Sequence, residues 1–194
     1  MGDTLAPGIA VVVVVIFFVM AMAVPFITTA SREPVQAWRR VAVAASAAGY
    51  AAALVAYTIL PLPAAAEMER RCADGAGAQA QWVPLHFVVD LGQEAGSGVV
   101  GLLFDPVLRQ VLLNIVLFVP LGYGLRMLGS WSSPAIVAIA LACSAVIEVS
   151  QGTGLWFIYD CAYRVMDVDD VLANTAGAAT GLTLAIWVRA KLSR

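Results

Sequence analysis

Residues 169–189 read DDVLANTAGAATGLTLAIWVR: two aspartates, eighteen uncharged residues and an arginine. A hydrocarbon layer about 30 Å thick takes about 20 residues of helix to cross, so this run reads as a membrane span with charge at both ends. Working back along the chain, Met127–Ile147, Val41–Leu62 and Gly8–Ala30 are equally uncharged. Pro106–Leu125 holds one charge, Arg109, near its end, where a long side chain reaches the interface. Five spans follow, at about 8–30, 41–62, 106–128, 133–152 and 169–189. The whole chain, 1–194, reads as one membrane domain with a loop at 63–105.

Composition agrees. The 194 residues are 61% hydrophobic and 12% charged, with a mean hydropathy of +0.87. A soluble domain carries about 45–50% apolar and about 25% charged residues. Strands of a membrane barrel would alternate apolar and polar residues, and these runs do not. The expected fold is therefore all-α, a polytopic membrane helix bundle. Only Asp3 precedes the first run, and Arg32, Arg39 and Arg40 follow it. A cleaved signal has the reverse arrangement, so a retained helix is expected.

Basic residues in short loops stay cytoplasmic. Arg32, Arg39 and Arg40 occupy the first loop, Arg126 the third, and Arg189, Lys191 and Arg194 the tail. Five crossings, with the N-terminus outside and the C-terminus cytoplasmic, satisfy all of them. Of the thirteen acids, only Glu33 then falls on the cytoplasmic side. Basic residues are too few for a nucleic-acid surface, so no such partner is expected.

In the long outer loop, Ala64–Gln81 is Ala- and Gly-rich and reads as irregular. Trp82–Leu91 and Gly98–Phe104 are apolar but too short to span, and an amphipathic segment lying in the interface is favoured over one folding back into the bundle. His86 is the only histidine, so no multi-histidine metal site is expected, and no Ser–His or Cys–His nucleophile is in view. Cys143 lies within a span and reads as a packing residue. Cys72 and Cys161 both fall on the outer side, where a disulfide would persist and would tie two loops together. Sequence does not give their distance, and two free thiols are the expectation.

Polar groups inside a membrane helix are expensive and usually face a partner or a cavity. Asn114 lies about 12 Å below Pro106 at about 1.5 Å per residue. Glu148 and Gln151 share a face at the outer end of the fourth span. Asp170 and Asn174 stand one turn apart at the outer end of the fifth, on a stripe with Gly177 and Gly181, whose spacing permits close helix packing. Arg164, Asp167 and Asp169 lead into that span. Helix capping and dipole effects account for one or two of these acids at about 1 kcal/mol each. They account less well for three acids together with Arg164, Asn174 and the remote Glu148, so a functional polar site is favoured over structural glue. Pro120 removes a backbone donor and points to a kink, with Gly122 and Gly124 beside it.

These residues resemble the VanZ-like family over residues 106–185. The resemblance runs through NIVLFVPLGYGL from Asn114, through Glu148 and Gln151 as an E-x-x-Q helix end, and through Arg164, Asp167, Asp169, Asp170, Asn174, Gly177 and Gly181. It implies a multi-pass protein of the bacterial plasma membrane, some of whose relatives give low-level teicoplanin resistance. Two functional classes follow. The favoured one is non-enzymatic: the polar residues hold a membrane lipid or a lipid-linked envelope component such as a lipoglycopeptide, with Arg164 on a phosphate or carboxylate and no cofactor. The alternative is an enzyme acting on a polyprenyl phosphate, in which Asp167, Asp169, Asp170 and Glu148 hold Mg2+.

Overall fold

The structure, a computed structural model, describes residues 33–94, 101 and 105–193. The first expected span, 8–30, and most of the apolar segment 98–104 lie outside the described residues. The chain divides into two units, Met1–Pro61 and Leu62–Arg194.

In the first unit, helix α1 covers Glu33–Thr58. It begins eight residues before the expected span and takes in Arg39 and Arg40, while its apolar part is Ala42–Thr58. Ser46 and Thr58, both buried, donate their hydroxyls to the carbonyls of Ala42 and Leu54 one turn back. A hydroxyl in an apolar helix is satisfied locally in this way and leaves no free donor.

The second unit is built on α4 (Pro106–Leu128), α5 (Ser133–Gly152) and α6 (Val168–Leu192), of 23, 20 and 25 residues. All three are long and apolar enough to cross a membrane. Two shorter helices precede them, α2 (Ala65–Ala73) and α3 (His86–Glu94). Each long helix starts on a side-chain cap that satisfies otherwise orphaned N–H groups. Asp105 accepts from Val107 and Leu108, Ser132 from Ala135, and Asp167 from Asp169. Helix α4 runs unbroken through Pro120.

Helices α4 and α6 run parallel at backbone contact. A Cβ placed on Gly177 would meet the carbonyl oxygen of Ile115 at 2.1 Å, and one on Gly181 would meet that of Val119 at 2.0 Å. Both partners advance by four residues, as parallel helices require. Gly122 closes the seam from the other side, where a Cβ would lie 1.8 Å from the carbonyl oxygen of Ala178. No side chain fits here, and dispersion between the backbones replaces it. Helix α5 runs antiparallel to α6, since Ser144 meets Asn174 and Glu148 meets Asp167. The basic ends of α4 and α6, with Arg126, Arg189 and Lys191, therefore share one end of the bundle. The polar residues occupy the other.

At that polar end the loops are stitched together. Residues 78–81 run beside 162–168: Ala78 N–H donates to the carbonyl of Ala162, Gln81 N–H to that of Met166, and Val168 N–H to that of Gln81. A disulfide joins Cys72 to Cys161, with their Cα atoms 5.5 Å apart, so the expectation of two free thiols is replaced. Gly77 makes room for it, because a Cβ there would come 2.9 Å from the Cβ of Cys161. Tyr159 donates its hydroxyl to the carbonyl of Pro63. The stretch 64–81, expected to be irregular, thus contains a helix and a segment paired with the loop before α6.

Between α5 and that loop, Gly154, Leu155, Trp156 and Phe157 have φ values of 63°, 57°, 58° and 68°. This is one turn of left-handed helix. It costs about 1–2 kcal/mol at each of the three non-glycine residues, so the bonds around it must hold it in place.

Candidate functional site

The polar residues gather where α4, α5 and α6 meet the stitched loops. Glu148, buried in the penultimate turn of α5, accepts the backbone N–H of Asp167 at 2.9 Å. That bond ties the end of one span to the start of the next. Asp167 accepts the N–H of Asp169 at 2.8 Å and a side-chain N–H of Gln81 at 3.3 Å. Burial pushes the Asp167 carboxyl above its ordinary value, partly offset by the Asp169 N–H and reinforced by the neighbouring Asp169 charge.

Asp169 is 4% exposed and faces elsewhere. Its two carboxylate oxygens accept the backbone N–H groups of Leu85 and Phe87, at the start of α3. It therefore caps a helix that lies over eighty residues earlier in the chain. Asp170, only half-buried, accepts two contacts of 3.1 and 3.2 Å from the side-chain amide of Gln110, and Asn114 also donates to it. Arg164 is exposed and acts electrostatically on Glu148, Asp170 and Tyr163. Gln151 is buried in the same end of α5. Tyr163 is buried beside them, its ring centroid 5.9 Å from that of Tyr159, and burial raises its hydroxyl pKa above 10.0.

One turn deeper, Asn174 is 2% exposed and donates its amide to the hydroxyl of Ser144 at 2.8 Å. Its carbonyl oxygen has no hydrogen-bond donor among the described residues. A buried acceptor left in that state costs about 1–3 kcal/mol, so the floor of the site has room in its chemistry for one more donor.

The eight expected site residues are thus brought to one end, but they do not act alike. Glu148, Asp167 and Asp169 are committed to backbone N–H groups, which makes them architectural. Asn114, Arg164, Asp170 and Asn174 hold the remaining polarity. Gln81, Gln110 and Ser144 belong to the cluster and were not expected. Ser144 stands one turn before Glu148, a spacing that marks it; Gln81 sits in the loop expected to be irregular and has no such signal. His86 pairs with Asp90 one turn on along α3, and Trp82, Val83, Leu85, Val88 and Val89 are exposed around it.

For the four carboxylates considered as Mg2+ ligands, the geometry is unfavourable. Each faces a different partner, and among the described residues no three His, Cys, Asp or Glu side chains are placed to hold one cation. What the cluster offers instead is an arginine near a half-buried carboxylate, above amide groups and an unsatisfied carbonyl.

Compared with known proteins, the chain matches the model of the VanZ/LLP1 family over residues 47–189, which takes in every residue of this cluster. Neither a curated protein nor a solved structure matches it.

Proposed function

The chain belongs to the VanZ/LLP1 family, and on that premise we propose that it is a bacterial plasma-membrane protein that binds the head group of an envelope lipid or a lipid-linked envelope component. The polar end faces outward in this reading, with the basic ends of α4 and α6 in the cytoplasm, as positive charge near span ends favours. Arg164 meets a phosphate or carboxylate of the ligand, and Asp170, held by Gln110 and Asn114, meets its hydroxyl or amine groups. By occupying such a component, or the lipid part of a lipoglycopeptide, the protein contributes to teicoplanin resistance.

The observation that carries this reading is Asn174. Its carbonyl oxygen is buried one turn beyond Asp170 with no donor among the described residues, which supports a site with room for one more partner. Binding is preferred to catalysis because three of the four acids are already committed to backbone N–H groups.

The test uses purified full chain in nanodiscs, with undecaprenyl phosphate and phosphatidylglycerol as probes followed by native mass spectrometry. Teicoplanin susceptibility of expressing cells is measured in parallel. Arg164→Ala and Asp170→Asn are expected to lose lipid retention and resistance while folded protein stays at its normal amount. Equal retention by all variants would sink the reading, as would loss that merely follows loss of protein.

A further inference from the structure

We propose that the left-handed turn after α5 is a lipid anchor: Trp156, Phe157 and Ile158 insert into the bilayer interface at the polar end of the bundle. The proposal stands apart from the head-group reading, because it concerns bulk lipid and residues outside the set named for that site.

The depth of the turn is fixed by a bond. Trp156 donates its indole N–H to the hydroxyl of Ser150 at 2.9 Å. Ser150 lies in the final turn of a helix long and apolar enough to span. The indole is therefore folded back beside the end of the span instead of standing out in water above it. Its one polar atom is satisfied, while the ring remains 57% exposed. Phe157 and Ile158, next in sequence, are 82% and 71% exposed.

Chirality explains how Trp156 and Phe157 come to be shown together, with Ile158 following them in right-handed backbone. Residues in the left-handed region project their side chains differently from those of α5 and break its periodicity. The turn is held by Phe157 N–H to the carbonyl of Thr153, Tyr159 N–H to that of Gly154, and Trp156 N–H to the Thr153 hydroxyl. Gly154 is required at its base, since a Cβ there would lie 2.5 Å from the carbonyl oxygen of Tyr159 and 2.6 Å from that of Cys161. The disulfide at Cys161 fastens the far side. A conformation this costly, kept by so many bonds, leads to Phe157 and Ile158, the two most exposed large apolar side chains among the described residues.

Composition selects lipid as the occupant. Residues 153–159 read TGLWFIY, without a charge. Leu141 and Val146, further down α5, are exposed apolar residues on a helix long and apolar enough to span, so the turn follows directly on a segment that the bilayer covers. Tryptophan at the end of a span, with its N–H satisfied and its ring open, has the amphipathic form that the interface favours. Anchored there, the turn holds the disulfide-joined loops, and with them the polar end, at head-group depth.

A variant retaining Trp156 alone, with Trp38, Trp82, Trp131 and Trp187 each replaced by Phe, is reconstituted in vesicles of phosphatidylethanolamine and phosphatidylglycerol. Lipids brominated along the acyl chain are then added. We expect blue-shifted emission, quenched more strongly by bromines near the head group than by those near the chain end, and little affected by aqueous acrylamide. Red-shifted emission quenched by acrylamide would place the turn in water. Blue-shifted emission quenched by neither would place it under protein. Either overturns the proposal. Should the variant fail to fold, the unaltered chain is photolabelled from the lipid phase with a hydrophobic diazirine and mapped by mass spectrometry. Label within 154–159 is expected, and its absence there, with label present on α5, overturns the anchor.

Discussion

The carboxylate of Asp169 accepts the backbone N–H of Phe87 at 3.0 Å, so an acid in the first turn of α6 begins helix α3. Its neighbours on either side do otherwise: Asp167 caps α6 itself and Asp170 receives Gln110. Successive residues on a helix point about 100° apart, which is why three nearby aspartates serve three elements.

Replacing Asp169 by Ala should therefore loosen α3 more than α6. Two partly buried N–H groups at the start of α3 lose their acceptor, a loss of a helix cap worth about 1 kcal/mol. Hydrogen exchange is expected to rise in residues 85–94 while α6 stays protected, and Asp169→Asn should recover part of the loss. Uniform exchange across both helices would contradict the assignment.

The glycine seam gives a prediction with opposite signs. At Gly177 and Gly181 an added Cβ falls within 2.1 Å of a backbone carbonyl oxygen, and a carbonyl on a helix cannot turn aside. Gly177→Ala and Gly181→Ala should each destabilise the protein by about 1–3 kcal/mol through overpacking. Gly49 in α1 has nothing within 4 Å, so Gly49→Ala should instead stabilise its helix by up to about 1 kcal/mol. Thermal unfolding in detergent checks both, and a neutral Gly181→Ala would show that the two helices are less closely packed.

Three helices long and apolar enough to span were legible because each joins an uncharged run to charge or a cap: helix α5 covers 133–152, and α6 starts within one residue of its expected start. Gathering of the polar residues was also legible, since helix direction and about 1.5 Å per residue set their depth. Their division of labour was not. Nothing local in the sequence distinguishes Asp169 from Asp170, because the difference lies in α3, more than eighty residues earlier. Gln81 was hidden for the same reason: its partners, Met166 and Val168, come from the other loop. The left-handed turn was hidden for another reason. Leu155, Trp156 and Phe157 carry no intrinsic preference for positive φ, and only the surrounding bonds impose it.

The disulfide separates two effects of reduction. Cys72 and Cys161 are 89 residues apart, and the chain between them contains two spans. A soluble loop of that order would gain about 4–5 kcal/mol from the bond. Spans held in a bilayer already confine the unfolded chain, so the expected loss is lower, about 2 kcal/mol, near the bottom of the usual range. Reductant should lower the melting temperature of the native chain to that of a Cys72→Ser, Cys161→Ser variant, and should leave the variant unchanged. A variant as stable as the native chain would mean that the backbone pairing of 78–81 with 162–168 suffices alone.

The pH dependence of Asp167 has a definite sign. Burial raises its pKa in the folded protein above the unfolded value near 3.8, so the folded state binds this proton more tightly than the unfolded state does. Its contribution to stability is therefore greatest below the unfolded pKa. It declines as pH rises from about 3.8 through the raised folded value, and is constant above that. Asparagine still caps a helix but does not titrate. The difference in stability between Asp167→Asn and the native chain should consequently shift in the variant's favour as pH rises through this window. Chemical unfolding at a series of pH values reads that difference directly. A difference that stays flat would show that burial does not shift Asp167, and one that moves toward the native chain would show that Asp167 is better paired in the fold than in water.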